Sequence, residues 1–414
     1  MNAPVNPGAY AEGMAAPHPQ SRPQHESRRV LEVDTLEHFD LLARDCPSAR
    51  GWHVGQIDLT ARREELERLD VRGALFLGTA LPEGFADEAR ERGALVFPAL
   101  AGVPFEPYRA SAYTPEELYR GLAGAGSYEQ TPDARIYQWY RENTRAGEAD
   151  AAGATLAMAI HDHGMGTALA ELRAEADAAW GYAGVMGGHA AERGSREYAE
   201  AARLGRLLAR DGYGVATGGG PGAMEAANLG AFLSPFEEPV LEEALRLVAA
   251  VPGFRPSVGA WAEAALRVRR GEGLEPVLPS GAVLPDDGGR SLGIPTWFYG
   301  HEPPNAFAGE IAKYFANSQR ESVLLELCQG GIVFLPGAGG TVQEVFQDAC
   351  ENYYAADAKA VNPMVLVGRE HWTRTLPVWP LLSALARDRE MEHAVFLVDT
   401  VEDAAAVLRE ARGR

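Results

Sequence analysis

The stretch GIVFLPGAGGTVQE, residues 331–344, most constrains what this chain can fold into. Ile332, Val333, Phe334 and Leu335 form an unbroken apolar run, the pattern of a strand buried on both faces of a parallel sheet. Pro336 cannot donate to a sheet ladder and ends the strand. Gly337, Gly339 and Gly340 then make a turn without Cβ atoms, so that backbone N–H groups can approach a ligand closely. Thr341 reads as a helix N-cap with Glu344 as its capping-box partner. A glycine turn feeding a helix N-terminus favours an anion, because free N–H groups and the helix dipole act together.

A second unit of the same kind precedes it. Residues 182–186 read as a strand followed by Gly187, Gly188 and His189, and residues 195–210 as a strongly amphipathic helix that stops at Gly212. Residues 213–217 are the next strand, followed by Gly218, Gly219, Gly220, Pro221 and Gly222; Ala223 and Met224 open another helix. The dinucleotide spacing G-x-G-x-x-G is missing from its usual place, and no acidic residue follows at ribose-reading distance. Two glycine turns at the carboxyl ends of neighbouring parallel strands therefore point to one mononucleotide-sized phosphate pocket.

The remaining elements extend the pattern. Strand–helix alternation from residue 181 to 414 predicts a doubly wound, Rossmann-like α/β domain with a parallel sheet and right-handed crossovers. Residues 234–289 break the alternation and read as an insertion that shapes or covers a pocket. Glu302-Pro-Pro-Asn305 is a rigid polar loop, and Arg320 sits in the first turn of a helix over 318–327. A cation there opposes the helix dipole, which points to another job for it. Upstream, residues 28–110 alternate short strands and helices and predict a smaller α/β domain. Residues 111–180 read as a helical connector, with Gly164 and Gly166 interrupting an Ala-rich helix. Its His161-Asp-His163 pair has i, i+2 spacing, which does not put two metal ligands on one helix face. Residues 1–27, rich in Pro, Ala, Gly and Gln and carrying His18 and His25, read as a disordered tail.

Composition excludes several classes of function. A net charge of −20 argues against nucleic-acid binding, which needs a basic footprint. Cys46, Cys328 and Cys350 are isolated, without a Cys-x-x-Cys pair, so neither a disulfide framework nor a metal site is expected. No run is long enough to span a bilayer and no signal-peptide pattern opens the chain, so a cytoplasmic protein is the expectation.

The motifs GGGPGAMEAA (218–227) and PGAGGTVQE (336–344) resemble the two signature loops of the LONELY GUY family, once described as "lysine decarboxylase-like". GGH at 187–189, GPGAME at 220–225 and EPPN at 302–305 are similar to its bacterial branch of pyrimidine/purine nucleotide 5′-monophosphate nucleosidases. The resemblance covers about residues 182–398 and skips the insertion. It implies a Rossmann-like homo-oligomer, dimer or tetramer, that needs no cofactor and cleaves the N-glycosidic bond of a nucleoside 5′-monophosphate to free base and ribose 5-phosphate. It also implies a catalytic pair, Arg320 and Glu344. The phosphate or substrate contacts would come from Gly187, Gly188, His189, Gly218, Gly219, Gly220, Pro221, Gly222, Met224, Asn305, Gly337, Ala338, Gly339, Gly340 and Thr341.

One position departs from the family pattern PGGxGT: Ala338 stands where the second glycine is usual. A positive φ there would cost an Ala roughly 1 kcal/mol or more. Two other readings accompany the hydrolase. A related fold can hold a nucleotide without cleaving it. A pyridoxal-phosphate decarboxylase needs a Schiff-base lysine, and the only lysines, Lys313 and Lys359, lie outside the glycine turns.

Overall fold

The computed structural model describes residues 31–412, apart from 101, 124–125, 145–150, 180, 280–281, 283, 285–289 and 300–301. The tail reading for residues 1–27, with His18 and His25, lies outside the described residues. The chain divides into two compact units at Ala99/Leu100.

The first unit carries strands β1 (Leu31–Val33), β2 (Trp52–Gly55), β3 (Leu75–Leu77) and β4 (Leu95–Phe97), all parallel and paired in chain order. Helices Leu36–Asp45, Arg63–Arg68 and Phe85–Glu91 connect them. Val33, Phe39, Trp52, Val54, Leu66, Phe76 and Phe85 form its core. It is the small α/β layer that strand–helix alternation predicts.

The second unit is a doubly wound α/β fold. Its strands are β5 (Tyr182–Met186), β6 (Gly214–Thr217), β7 (Ser291–Gly293), β8 (Glu310–Ile311), β9 (Ile332–Phe334), β10 (Met364–Val367) and β11 (Val395–Val398). They pair in the order β11-β10-β9-β5-β6-β7-β8, all parallel, with Gly184 opposite Ile332 and Met186 opposite Phe334. Alternate residues feed two cores. Val185, Val215, Val333 and Val365 face one; Met186, Ala216, Phe334 and Leu366 face the other. Helices cover both faces, which is why these strands read as continuous apolar runs.

The chain enters the sheet at β5, winds outward through β6, β7 and β8, and returns to β9 on the other side of β5. The crevice beyond the carboxyl ends of β5 and β9 is the topological switch point, where open α/β sheets bind ligands.

One boundary differs from the sequence reading. Residues 111–180 do not connect two bodies; they belong to the second unit. Tyr113, Leu118, Ile136, Met165 and Leu169 enter one of its cores, and Tyr119 and Leu122 the other. Helix Ala151–Ala179 runs unbroken through Gly164 and Gly166. The insertion, too, supplies core: its helices Glu238–Val248 and Val258–Arg269 bury Val240, Leu241, Ala244, Val248, Trp261 and Leu266 against the helices Arg196–Arg210 and Ala223–Phe232. Among the described residues no helix is long and apolar enough to cross a membrane.

Candidate functional site

Three glycine turns meet at the switch point. Gly188 N–H donates to the Pro336 carbonyl at 3.4 Å, and Ala223 N–H donates to the Gly188 carbonyl at 3.2 Å. These contacts bind the turn after β5 to the turns after β9 and β6. Gly222 has φ +75°, and a Cβ there would lie 2.7 Å from the Gly188 and His189 backbone, so only glycine fits. Gly222→Ala is expected to destabilise the fold by about 1–3 kcal/mol from backbone strain alone. Denaturant unfolding checks this; a variant as stable as the parent would show that the turn yields.

Behind the turns lies a buried polar lattice. Thr217 Oγ1 accepts from Gly219 N–H at 3.0 Å and donates to Asn228 Oδ1 at 2.7 Å. Asn305 Nδ2 donates to the same Asn228 oxygen at 3.0 Å and to the Gly220 carbonyl at 3.3 Å, while its Oδ1 accepts from Phe307 and Ala308 N–H at 3.1 Å each. These bonds use both donors and both lone pairs of a fully buried amide. Asn305 thus supports the glycine turn after β6. Met224 has a similar role: its thioether packs so closely on Gly218 and Gly220 that a Cβ on either would come within 2.9 Å of it. Pro221 is buried with the glycines around it.

The organising stretch also folds differently in detail. Its helix spans Gly339–Tyr353, with Ala338 as N-cap and no side-chain cap. Thr341 is thus inside the helix, and its hydroxyl packs on Gly337, where a Cβ would lie 2.2 Å away. The capping box between Thr341 and Glu344 does not form. Ala338 has φ −121°, so it does not take the positive φ whose cost was expected for its side chain. Gly339 and Gly340 are exposed, with open space where a Cβ would be, and the uncapped helix N-terminus faces outward.

Glu344, freed from capping, faces Arg320. The two come from neighbouring helices, with Arg320 Nη1 3.7 Å from Glu344 Oε1. Helix Asn317–Leu327 holds Arg320 in place through Asp162, whose carboxylate accepts from Phe315 and Ala316 N–H at 2.9 and 2.8 Å. Asp162 thus anchors the chain just before a neighbouring helix, and His161 meets the Tyr113 hydroxyl at 2.8 Å. Among the described residues no cluster of three His, Cys, Asp or Glu side chains could hold a metal ion.

Arg320 is only 8% exposed, yet its Nε and Nη1 have no hydrogen-bond partner among the described residues. A Cβ on Gly218 would lie 3.8 Å from that Nη1, so the guanidinium faces the first glycine turn. A buried cation with unused donors beside glycine N–H groups is a seat for an anion. Burial pushes the Glu344 carboxyl up to about 7; Arg320 pulls it down, and Glu321 and Glu302 push it up. The group is divided between acid and base forms near neutral pH, which suits proton transfer. His189 borders the site and pairs with Glu302 at 3.1 Å.

Two features were not legible as site parts. Glu302 opens the EPPN motif, but no site role is read for its side chain. Glu225 forms an ion pair with Arg193, both side chains 1% exposed, and Arg193 also donates to the Trp261 carbonyl at 3.0 Å, which links the glycine-turn helix to the insertion. Lys313 is engaged elsewhere, donating to Asp133 at 2.6 Å in the core.

A model of the SLOG cluster4 family matches residues 181–234, from the start of β5 through the first glycine turn and its helix. The match relates this stretch to the SLOG superfamily, and through it to LOG-type Rossmann-like proteins; at that level it supports a nucleotide-related role. Arg320 and Glu344 lie outside the matched residues. No curated protein matches the chain.

Proposed function

We propose that the second unit is a phosphoribohydrolase of the LONELY GUY type that cleaves nucleoside 5′-monophosphates to free base and ribose 5-phosphate. The observation that carries this reading is the Arg320–Glu344 pair at the switch point: a buried guanidinium with unused donors against a carboxyl held near neutrality. The glycine turns and the helix N-terminus at Gly339 seat the 5′-phosphate, and phosphate binding positions the ribose for reaction. As the C1′–N bond breaks, its electron pair leaves with the base and positive charge builds on the sugar. Ionised Glu344 stabilises that charge and accepts the proton of the water whose oxygen bonds to C1′. The departing base takes up a proton from solvent. Arg320 orients Glu344 and contacts the ligand's anionic part.

The test is product release. The full chain is incubated with AMP, GMP, CMP, UMP and IMP, and base and ribose 5-phosphate are separated by chromatography. Release from at least one substrate is expected; tight binding without release would make the protein a nucleotide-binding module instead. Because ionised Glu344 is the working form, kcat is expected to fall as pH drops through about 7. Arg320 lowers the Glu344 pKa, so Arg320→Ala should move this acid limb to higher pH as well as reduce the rate. An unmoved limb in that variant would remove Glu344 as the titrating base.

A further inference from the structure

We propose that Phe298 and Tyr299, with Glu321, form the nucleobase subsite, and that it takes bases carrying an exocyclic amino group. The inference rests on the nucleotide reading of the Arg320–Glu344 site. Residues 291–297 are buried, and Trp297 is held in the core by donating from Nε1 to Asp133 at 2.9 Å. The next two residues surface abruptly: Phe298 is 55% and Tyr299 38% exposed, their rings edge to face at 5.2 Å. Among the described residues these are the only consecutive large hydrophobics exposed. Phe298 N–H donates to Thr296 Oγ1 at 3.0 Å, which sets the turn that presents them.

A bonded rim runs from this pair to the sequence neighbours of the reacting groups. Asn317 Nδ2 donates to the Tyr299 hydroxyl oxygen at 3.3 Å and to Glu321 Oε1 at 2.7 Å. Gln343 Nε2 donates to Glu321 Oε2. Asn317 stands one helical turn before Arg320, Glu321 follows Arg320, and Gln343 precedes Glu344. With phosphate on the glycine turns and the sugar at Arg320 and Glu344, the rim is where the base arrives. Every base has a π-face that can stack on an exposed aromatic ring, whatever its sequence identity. Discrimination comes from Glu321. Asn317 and Gln343 donate to its two oxygens, one each, and a carboxylate retains further lone pairs but offers no donor. It therefore accepts from an amino group and repels a carbonyl edge, favouring AMP over IMP and CMP over UMP.

Equilibrium binding to the full chain carrying Glu344→Gln, which prevents turnover, tests this with AMP, IMP, CMP, UMP and ribose 5-phosphate. This parent should bind AMP and CMP more tightly than IMP and UMP. Adding Phe298→Ala and Tyr299→Ala should weaken AMP and CMP by roughly 5- to 150-fold, the range that base–aromatic stacking gives on alanine substitution, and leave ribose 5-phosphate unchanged. Tyr299→Phe keeps the ring and should keep AMP binding near the parent value. Glu321→Gln should erase the preference for AMP over IMP. The inference is overturned if the alanine variants leave AMP binding unchanged, if they weaken ribose 5-phosphate equally, or if IMP binds as well as AMP to the parent. A parent that binds ribose 5-phosphate without distinguishing bases overturns the base subsite alone; one that binds neither nucleotide nor sugar phosphate overturns the nucleotide reading with it.

Discussion

Glu344→Gln is expected to lower base release by about 10²–10⁴-fold, the usual contribution of a positioned general base, while making the protein more stable at pH 8.5 by on the order of 3 kcal/mol. Both effects have one cause. Burial raises the carboxyl from 4.5 to about 7, so in the folded protein its ionisation is unfavourable. Below about pH 4.5 the group is protonated both folded and unfolded, and it contributes no difference. Between 4.5 and 7 the unfolded chain releases the proton more readily, and stability falls with rising pH until the folded group has ionised too. Glutamine stays neutral throughout and escapes that cost. Unfolding by denaturant at pH 4.5 and 8.5, parent beside variant, should show near-equal stability at the lower pH and the full difference at the higher. A variant that is no more stable at pH 8.5, or that still releases base at the parental rate, would mean that Glu344 is an ordinary surface acid.

The same residue shows what the sequence could and could not reveal. The strand Ile332–Phe334 and its glycine turn are legible because buried parallel strands leave continuous apolar runs and turns leave glycines. The spacing Thr341 to Glu344 also looks like a capping box, but that pattern reports only local options. The close packing of Thr341 on Gly337 and the partner across the crevice, Arg320, took precedence. Asn305 likewise sits in a motif that points to a ligand, whereas its four hydrogen bonds run to the backbone and to Asn228. Residues 111–180 read as a connector because what binds them to the sheet lies far away in sequence: Asp133 pairs with Lys313, and Asp162 holds the chain leading into the helix that carries Arg320. No periodicity within the segment encodes those partners. Ala338 marks the opposite limit, since a departure from a motif signalled a positive φ that the actual backbone does not adopt.

Arg193→Ala is expected to cost about 3–5 kcal/mol, the usual penalty for leaving one charge of a buried pair without its partner. The guanidinium ties three segments together. It donates to both Glu225 oxygens in the first turn of the helix after Gly222, one of them at 3.1 Å. It also donates to the Trp261 carbonyl at 3.0 Å, and it lies over the Trp261 ring at 4.7 Å. Removing it strands a carboxylate and a backbone carbonyl where water does not reach. Arg193→Lys should rescue little, because an ammonium cannot reproduce the planar fork that bonds both carboxylate oxygens. A double variant, Arg193→Met with Glu225→Leu, should recover much of the loss, since an apolar pair of similar volume leaves no buried charge uncompensated. The comparison also separates stability from binding. If the pair serves only to hold the insertion on the glycine-turn helix, the double variant regains nucleotide affinity along with stability. A single-variant loss below about 1 kcal/mol, the level of an exposed pair, would show that Glu225 reaches water in solution. The insertion would then be held by the packing of Val240, Leu241 and Trp261 alone.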